Sequence, residues 1–539
     1  MTFTASEATA IAPYFTNVDQ PVFALVNLPE TVKGALFARY SRSPKSLRRL
    51  FLDEFATSVS ATGAPAPGDD VGTARAERLF QKVFNEYGDD SVAQLGGVHI
   101  AVEDASNILT KVLERGRLMA YLEQSTRYIP YTERRGDSWR YLVPAELDGH
   151  PLRSKYVATL DAAFETYSRW IDPMREWFAL RHPKTAADSD AVYRAAIRAK
   201  ALDTLRGLLP AATRSNVGIY GTGQAYEALL LRMRAHPLDE VRATADLMLQ
   251  ELRKVIPAFL TRVDQPERGG RWTAYLAGVR ERLAETAVRI GTRSEAAAVA
   301  EVTLTDFDPD GEVKVVAAAL YPASDRPDAA LQDLVRRMTP REREAVLAVA
   351  AGERMNRRHK PGRAFERTSY RFDILTDYGA FRDLQRHRLL TIDWQALTAR
   401  HGYTQPDAIV EAGGDAEWRE IMDRSAELYE ALAAAGLTQV AQYAVSMAYR
   451  VRFVMDMNAR EAMHVIELRT APQGHPAYRR VCQQMHTLIA GQAGHRAIAA
   501  AMKFADHSVV ELERLQEERR LEEKRKGSDR GQTPGLTPV

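Results

Sequence analysis

Arginines placed close together are the first feature of this sequence that could do chemistry. The stretch R-G-R-L-M-A-Y-L-E-Q-S-T-R-Y at 115–128 puts three of them, with an acid, an amide and a serine, beside Leu118, Met119 and Leu122. A guanidinium is always charged, and its planar fork matches phosphate or carboxylate. Arg386-His387-Arg388 repeats the same opening with a different continuation. A third segment, N-A-R-E-A-M-H-V-I-E-L-R, runs from Asn458 to Arg469 and ends before Pro472. Asn458 and Arg469 lie about three helical turns apart, hence on one face, and Arg460 follows two residues after the first. His464 is rotated away from that face. No second histidine stands at metal-ligand spacing in this segment, so no metal site is expected. Glu123, Gln124, Ser125, Thr126 and Arg127 fit a loop whose serine and backbone N–H groups wrap an anion, with Arg127 closing it. Taken singly, each cluster is compatible with a salt-bridged helix end, an amphipathic helix or a polar turn. Their combination points to anion recognition.

The elements that must position these groups repeat. G-V-H-I-A-V alternates like a strand, Ser106 reads as an N-cap, and a helix runs towards Arg115. S-Y-R-F-D-I alternates in the same way, Asp377 reads as the cap, and a helix runs towards Arg386. The cap precedes the arginine by nine residues in both places. Equal caps, equal spacing and a repeated R-x-R indicate an internal duplication.

Length and composition agree with two large domains: 539 residues, 45% apolar and 27% charged, with a net charge of +2. So small a charge argues against nucleic acid as a partner. The single cysteine, Cys482, excludes an internal disulfide or a cysteine-based metal cluster. No apolar run approaches the roughly 20 residues that span a bilayer, and the N-terminus has no basic-then-apolar leader pattern. A cytoplasmic location without membrane attachment is expected. Residues 58–72 read as a flexible loop, 151–210 and the segment after 240 as helices, and 296–320 as strands around the acidic turn D-F-D-P-D-G-E. G-T-G-Q at 221–224 lacks the lysine and hydroxyl residue of a phosphate loop. The fold class is α+β, helix-rich and duplicated. Its expected parts are 1–289, 290–510, and a charged helix with a disordered tail at 511–539. A chain using that tail to reach an assembly partner is a further possibility.

The motifs together resemble those of flavin-dependent thymidylate synthases. That family carries R-H-R, seven residues, then serine. Residues 115–125 match with Gly116 in place of His and Ser125 kept; residues 386–396 keep R-H-R and have Ala396 instead. E-Q-S-T-R-Y is similar to the family's E-Q-S-x-R-Y, and the 458–469 segment fits its N-x-R-x-x-x-H-x-x-x-x-R throughout. The family's G-H-x-S-x-x-E-H segment is eroded to Gly88–Gln94 in the first half and Phe365-Glu366 in the second, with Arg367 in place of the last His. An arginine sixteen residues before the family's asparagine is Arg206 in the first half and Gln442 in the second. Conversely, Asn458, Arg460 and Arg469 have Thr222, Gln224 and Met233 as first-half counterparts. Each half lacks what the other keeps, the pattern expected of one composite site. Asp383 stands where the family commonly has glutamine.

The resemblance implies reductive methylation of dUMP to dTMP, with methylenetetrahydrofolate and NADPH as co-substrates and FAD as cofactor. It implies a substrate set of Glu123, Gln124, Ser125, Thr126, Arg127, Arg206 and Arg469, with Arg469 and Ser125 catalytic. The flavin set is Glu366, Arg386, His387, Arg388, Asn458, Arg460 and His464. A homodimer imitating the family's tetramer is implied as well. The alternative is a relative that binds a pyrimidine nucleotide, with or without flavin, and does not turn it over.

Overall fold

The computed structural model describes residues 3–54 (save 22, 41, 42 and 44), 94–292 (save 135, 137 and 187) and 300–508. The expected loop at 58–72, most of Gly88–Gln94 and the tail at 511–539 lie outside the described residues. The chain forms two compact units. The first comprises Met1–Ala105, Val112–Glu123 and Ser215–Ser294; the second comprises Ser106–Lys111, Gln124–Arg214 and Glu295–Val539. Residues 124–214, from the first half of the sequence, thus belong to the unit that holds the second half.

The architecture is α+β and helix-rich. In the first unit, strands β1 (Gly97–Ser106), β2 (Met119–Glu123) and β3 (Arg214–Thr222) form a sheet of order β1-β3-β2. In the second, β4 (Val302–Phe307), β5 (Ser369–Asp377), β6 (Thr391–Trp394) and β7 (Arg450–Asn458) form a sheet of order β4-β5-β7-β6. Removing β4 leaves β5-β7-β6, the order of the first sheet, so the repeated motifs sit on a repeated topology. β5 and β7 run antiparallel in unbroken register from Ser369↔Asn458 to Asp377↔Arg450. Their alternation sends Tyr370, Phe372, Ile374, Val451, Phe453 and Met455 into the core. On the other face Asp373 meets Arg452 at 3.1 Å and Arg371 meets Asp456 at 3.5 Å, favourable cross-strand pairs.

Both expected caps form. Ser106 Oγ accepts from Leu109 N at 3.0 Å to open the helix Asn107–Leu113. Asp377 Oδ1 accepts from Ala380 N at 2.8 Å to open Tyr378–Leu384, a helix in which every residue is buried. Expected helices at 151–210 appear as Arg153–Arg181 and Asp190–Leu205, and the one after 240 as Asp239–Arg253. The segment 296–320 differs from expectation. One strand, β4, is followed by the helix Gly311–Leu320 rather than a second strand. Asp308 organises the turn by accepting from Asp310 N and pairing with Lys314, and the alanine run 317–319 favours helix over strand.

Within the second unit, two equivalent stretches pair with each other. Ala211 N donates to Val445 O and Met447 N to Leu209 O; Ala212 N donates to Tyr443 O and Ala448 N to Gly207 O. Each bond has its counterpart with the halves exchanged, so Pro210 and Ser446, which face each other, lie on a local two-fold axis. Pro210 is tolerated there because the facing pair in this pattern needs no N–H from either residue.

The Asp377 cap is testable. Burial pushes its carboxyl upward, against Arg206 and the Ala380 N–H. Asp377→Asn keeps the cap without a buried charge and should leave stability within about 1 kcal/mol. Asp377→Ala should cost about 1–2 kcal/mol, read by urea unfolding.

Candidate active site

The short capped helix ends at Leu384 and delivers Arg386-His387-Arg388 at its C-terminus. Arg206 closes the helix Asp190–Leu205 and begins the turn that leads into the two-fold pairing. A side chain at Gly379 would come within 3.1 Å of Arg206 Nε, so glycine gives the buried guanidinium its room. β7 leads into the helix Ala459–Arg469, and Asn458 Oδ1 caps it by accepting from Glu461 N at 2.9 Å.

These elements bring charges from both halves of the sequence together. Asp383 lies 3.6 Å from Arg206, 3.7 Å from Arg386 and 3.9 Å from Arg469. Asp203 lies 3.0 Å from Arg127 and 3.5 Å from Arg206. Four guanidiniums around two carboxylates leave a surplus of positive charge. Buried Arg127 Nε and Asp203 Oδ1 lie within ion-pair range of each other yet, like buried Arg206 Nη2, make no hydrogen bond of good geometry. Buried polar atoms left this way are uncommon, and they suit a ligand that brings its own oxygens.

The carboxylates stay ionised here. Burial pushes Asp203 upward, but His475, Arg127 and Arg206 outweigh it and hold the carboxyl at about 2. Asp383 is likewise held well below the carboxylate range, burial being overcome by Arg386, Arg206, Arg469 and Arg127. Burial works against the charge of Arg127, and Asp203, Tyr478 and Asp383 restore and strengthen it.

A second cluster adjoins the first. Arg469 Nε donates to His387 Nε2 at 2.9 Å, and His387 Nδ1 lies 3.6 Å from Glu461 Oε1. His464 Nδ1 lies 3.3 Å from the other oxygen of Glu461, and the two imidazoles meet edge to face at 5.4 Å. His464 is therefore not turned away from its motif partners. The second histidine comes from a distant segment, which is why spacing within 458–469 did not reveal it. Ligand atoms of His387, Glu461 and His464 all lie within 4.8 Å of one another, a separation that also suits a metal ion. The Arg469 cation already engages His387 Nε2, which disfavours a further positive charge. Burial lowers His387 to about 4; it also pushes Glu461 upward, where hydrogen bonds from His387 and His464 bring that carboxyl down to about 2.

The remaining sequence-selected residues take separate places. Ser125 Oγ accepts from Arg127 N at 3.3 Å and shapes the loop. Thr126 is buried and accepts from Arg382 at 3.4 Å, and Gln124 accepts from Arg140 at 2.7 Å. Glu123 ends β2 opposite Val217, in the first unit. Arg460 binds Pro361 O at 2.9 Å and Glu366 at 3.2 Å. Arg388 is half-buried and Arg386 reaches solvent. The guanidiniums of Arg386 and Arg388, with Glu366 neutralised by Arg460, are of a chemistry that would suit a dinucleotide bearing a pyrophosphate.

Sequence reasoning missed Asp203, Glu461, His475 and Tyr478, whose ring lies 5.5 Å from Arg469. Asp203 was discoverable as the acid three residues before Arg206 on a helix. The eroded half confirms the correspondence of positions. Thr222 caps the helix Gly223–Arg234, as Asn458 caps its own. Gln94 donates to Gln224 at 2.7 Å, where the second half has Glu366 and Arg460. A charged pair has become an amide pair on both sides at once.

The family described as thymidylate synthase complementing protein matches residues 39–258 and again 303–493. The chain belongs to this family, that of the flavin-dependent thymidylate synthases. A "UPF0159 protein" of Chlamydia muridarum is 37% identical over 96% of this chain and 98% of its own. A flavin-dependent thymidylate synthase of Mycobacterium marinum is 30% identical over 32% of this chain and 64% of its own length. A crystal structure of a UMP/dUMP methylase from Streptomyces cacaoi is 20% identical, covering 38% of this chain and 96% of that one, with a TM-score of 0.30. Among the described residues no helix is long and apolar enough to cross a membrane.

Depressed carboxylates give stability that is present above their unfolded pKa and lost as pH falls through the folded one. For Asp203 that window is about pH 4 down to 2, worth roughly 2 kcal/mol. Urea midpoints measured from pH 6 to 2 should fall steeply there, and Asp203→Asn should flatten the fall.

Proposed function

We propose that the chain is a flavin-dependent thymidylate synthase acting on dUMP, with methylenetetrahydrofolate as carbon donor and NADPH as reductant. The observation that carries this reading is the cluster of Arg127, Arg206, Arg386 and Arg469 around Asp203 and Asp383, drawn from both halves of one chain. Its surplus positive charge suits a phosphate monoester, which carries nearly two negative charges at neutral pH.

In this reading Arg127 and Arg206 hold the nucleotide phosphate, and the Gln124–Ser125–Thr126 loop shapes the substrate pocket. Arg469 faces the pyrimidine ring and stabilises negative charge that develops on it. A preorganised cation in a dry site is worth about 3–4 kcal/mol in such a role. Ser125 orients the reacting ring through its hydroxyl. Arg386, Arg388, Arg460, Glu366, Asn458 and His464 form the flavin side, with His387 between them and Arg469; Asn458 serves there through the helix it caps. Bound FAD supplies hydride transfer, and the protein contributes position and electrostatics. Buried Cys482, whose thiol burial pushes up to about 12, plays no nucleophilic part. Each chain offers one complete residue set, so a homodimer has two sites.

A binding-only reading has one observation in its favour. Asp383 already occupies the centre of the guanidinium cluster and competes with a substrate anion. The visible absorption spectrum of purified protein separates the two. A flavin spectrum perturbed by dUMP, with dTMP formed on adding folate and NADPH, supports the enzyme. Protein that takes up no flavin on reconstitution sinks it. Arg469→Ala should lower kcat by about 100-fold to 1,000-fold with an unchanged melting temperature.

A further inference from the structure

We propose that Glu461 and His387 are positioning residues that aim Arg469 at the substrate, His387 by accepting its Nε–H and Glu461 by fixing which imidazole nitrogen is free to accept. The proposal rests on the reading of Arg469 above and extends it to Glu461, which lies outside the R-H-R and N-x-R motifs.

The argument begins with hydrogen-bond chemistry. Arginine can only donate, so the 2.9 Å contact from Arg469 Nε requires a bare Nε2 on His387. In a neutral ring the proton then sits on Nδ1, and Nδ1 faces the Glu461 carboxylate at 3.6 Å. A carboxylate behind Nδ1 selects that tautomer. With Nε engaged, the two terminal nitrogens of Arg469 are left for a ligand, beside Asp383 at 3.9 Å and under the Tyr478 ring.

Local structure explains why Glu461 is available. Asn458-x-x-Glu461 has the spacing of a capping box, in which the acid normally turns back to the N-cap N–H. Here the Asn458 side chain alone caps the helix, with no return bond from Glu461. Glu461 turns inward instead, buried at 5% exposure. A buried carboxylate is costly unless paired, and its partners are the two imidazoles.

Duplication supplies an internal control. The first-half positions equivalent to Glu461, His387 and Arg469 are Ala225, Gly116 and Met233. All three members are absent where the arginine is absent, while the helix cap and the buried sheet face persist. Groups kept for packing alone would have no reason to vanish together.

The test uses full-length protein labelled with 15N in histidine and arginine. Wild type should show the His387 ring, assigned with His387→Gln, protonated at Nδ1 and bare at Nε2. Adding dUMP should shift the Arg469 Nε signal, and Glu461→Ala should lose that shift. The same variant should lower kcat roughly 100-fold, as expected for a misaimed group, with the KM for dUMP changed less than about threefold. Glu461→Gln, whose amide oxygen can still accept from Nδ1–H, should recover most of the loss. A wild-type ring protonated at Nε2 overturns the proposal whether or not any variant folds. So does Glu461→Ala with normal kcat beside an inactive Arg469→Ala. The nitrogen signals need no turnover, so a tautomer and dUMP response as expected, in a protein that makes no dTMP, support the positioning role and count against the proposed reaction alone.

Discussion

The pairing of 207–212 with 443–448 is the constraint on which the site depends. These stretches are almost wholly buried: Leu208, Leu209, Ala211, Ala212, Tyr443, Ala444, Val445 and Met447 are each at most 1% exposed. Buried backbone must find partners, and here the partners are the equivalent positions of the other half. Arg206 immediately precedes this pairing. Its guanidinium therefore meets Asp383 and the N-terminal turn of the Tyr378–Leu384 helix for the same reason that the backbone bonds form. Tyr378 Oη donating to Asn107 O at 2.9 Å, again between equivalent residues, ties the two capped helices to the same axis.

The local two-fold relates the backbone of 207–212 to that of 443–448, while side chains at equivalent positions differ. Arg206, Asp203 and Arg469 correspond to Gln442, Gln439 and Met233, and Met233 is fully buried where a guanidinium would otherwise need a partner. Gln442 makes only neutral contacts, accepting from Leu397 N and donating to Gln439. Amides and an apolar group at these equivalent positions avoid gathering like charges there.

Strands, caps and the long helices were legible because each depends on local pattern: period-2 alternation in β5 and β7, Ser and Asp before helices, apolar spacing in Arg153–Arg181. Segment 296–320 was misread because Val313, Val315 and Val316 are β-branched, while helix formation there is settled by the Asp308 turn and by packing. The motif arginines were legible as types and spacings. Their mutual placement was not, since Arg206 and Asp383 meet only through the two-fold pairing, which no local pattern encodes. Glu461 was hidden for the opposite reason. Its spacing from Asn458 has an ordinary local explanation as a capping box, whereas its actual partners are His464 and His387, the latter from a distant segment.

Asp383 shows how such a cluster stays folded before a ligand arrives. Four guanidiniums gathered around a buried point repel one another, and at an effective dielectric near 20 each contact at 4 Å is worth about 4 kcal/mol. A central carboxylate turns much of that repulsion into attraction. Its distances of 3.6–3.9 Å are longer than close hydrogen bonds, so the cations are held without being fully engaged. A glutamine at this position would accept hydrogen bonds without adding charge, leaving a cluster more attractive to anions and less stable without them. The acid keeps the cations assembled in advance, and under the proposed function such preassembly is what an electrostatically driven reaction needs from its protein.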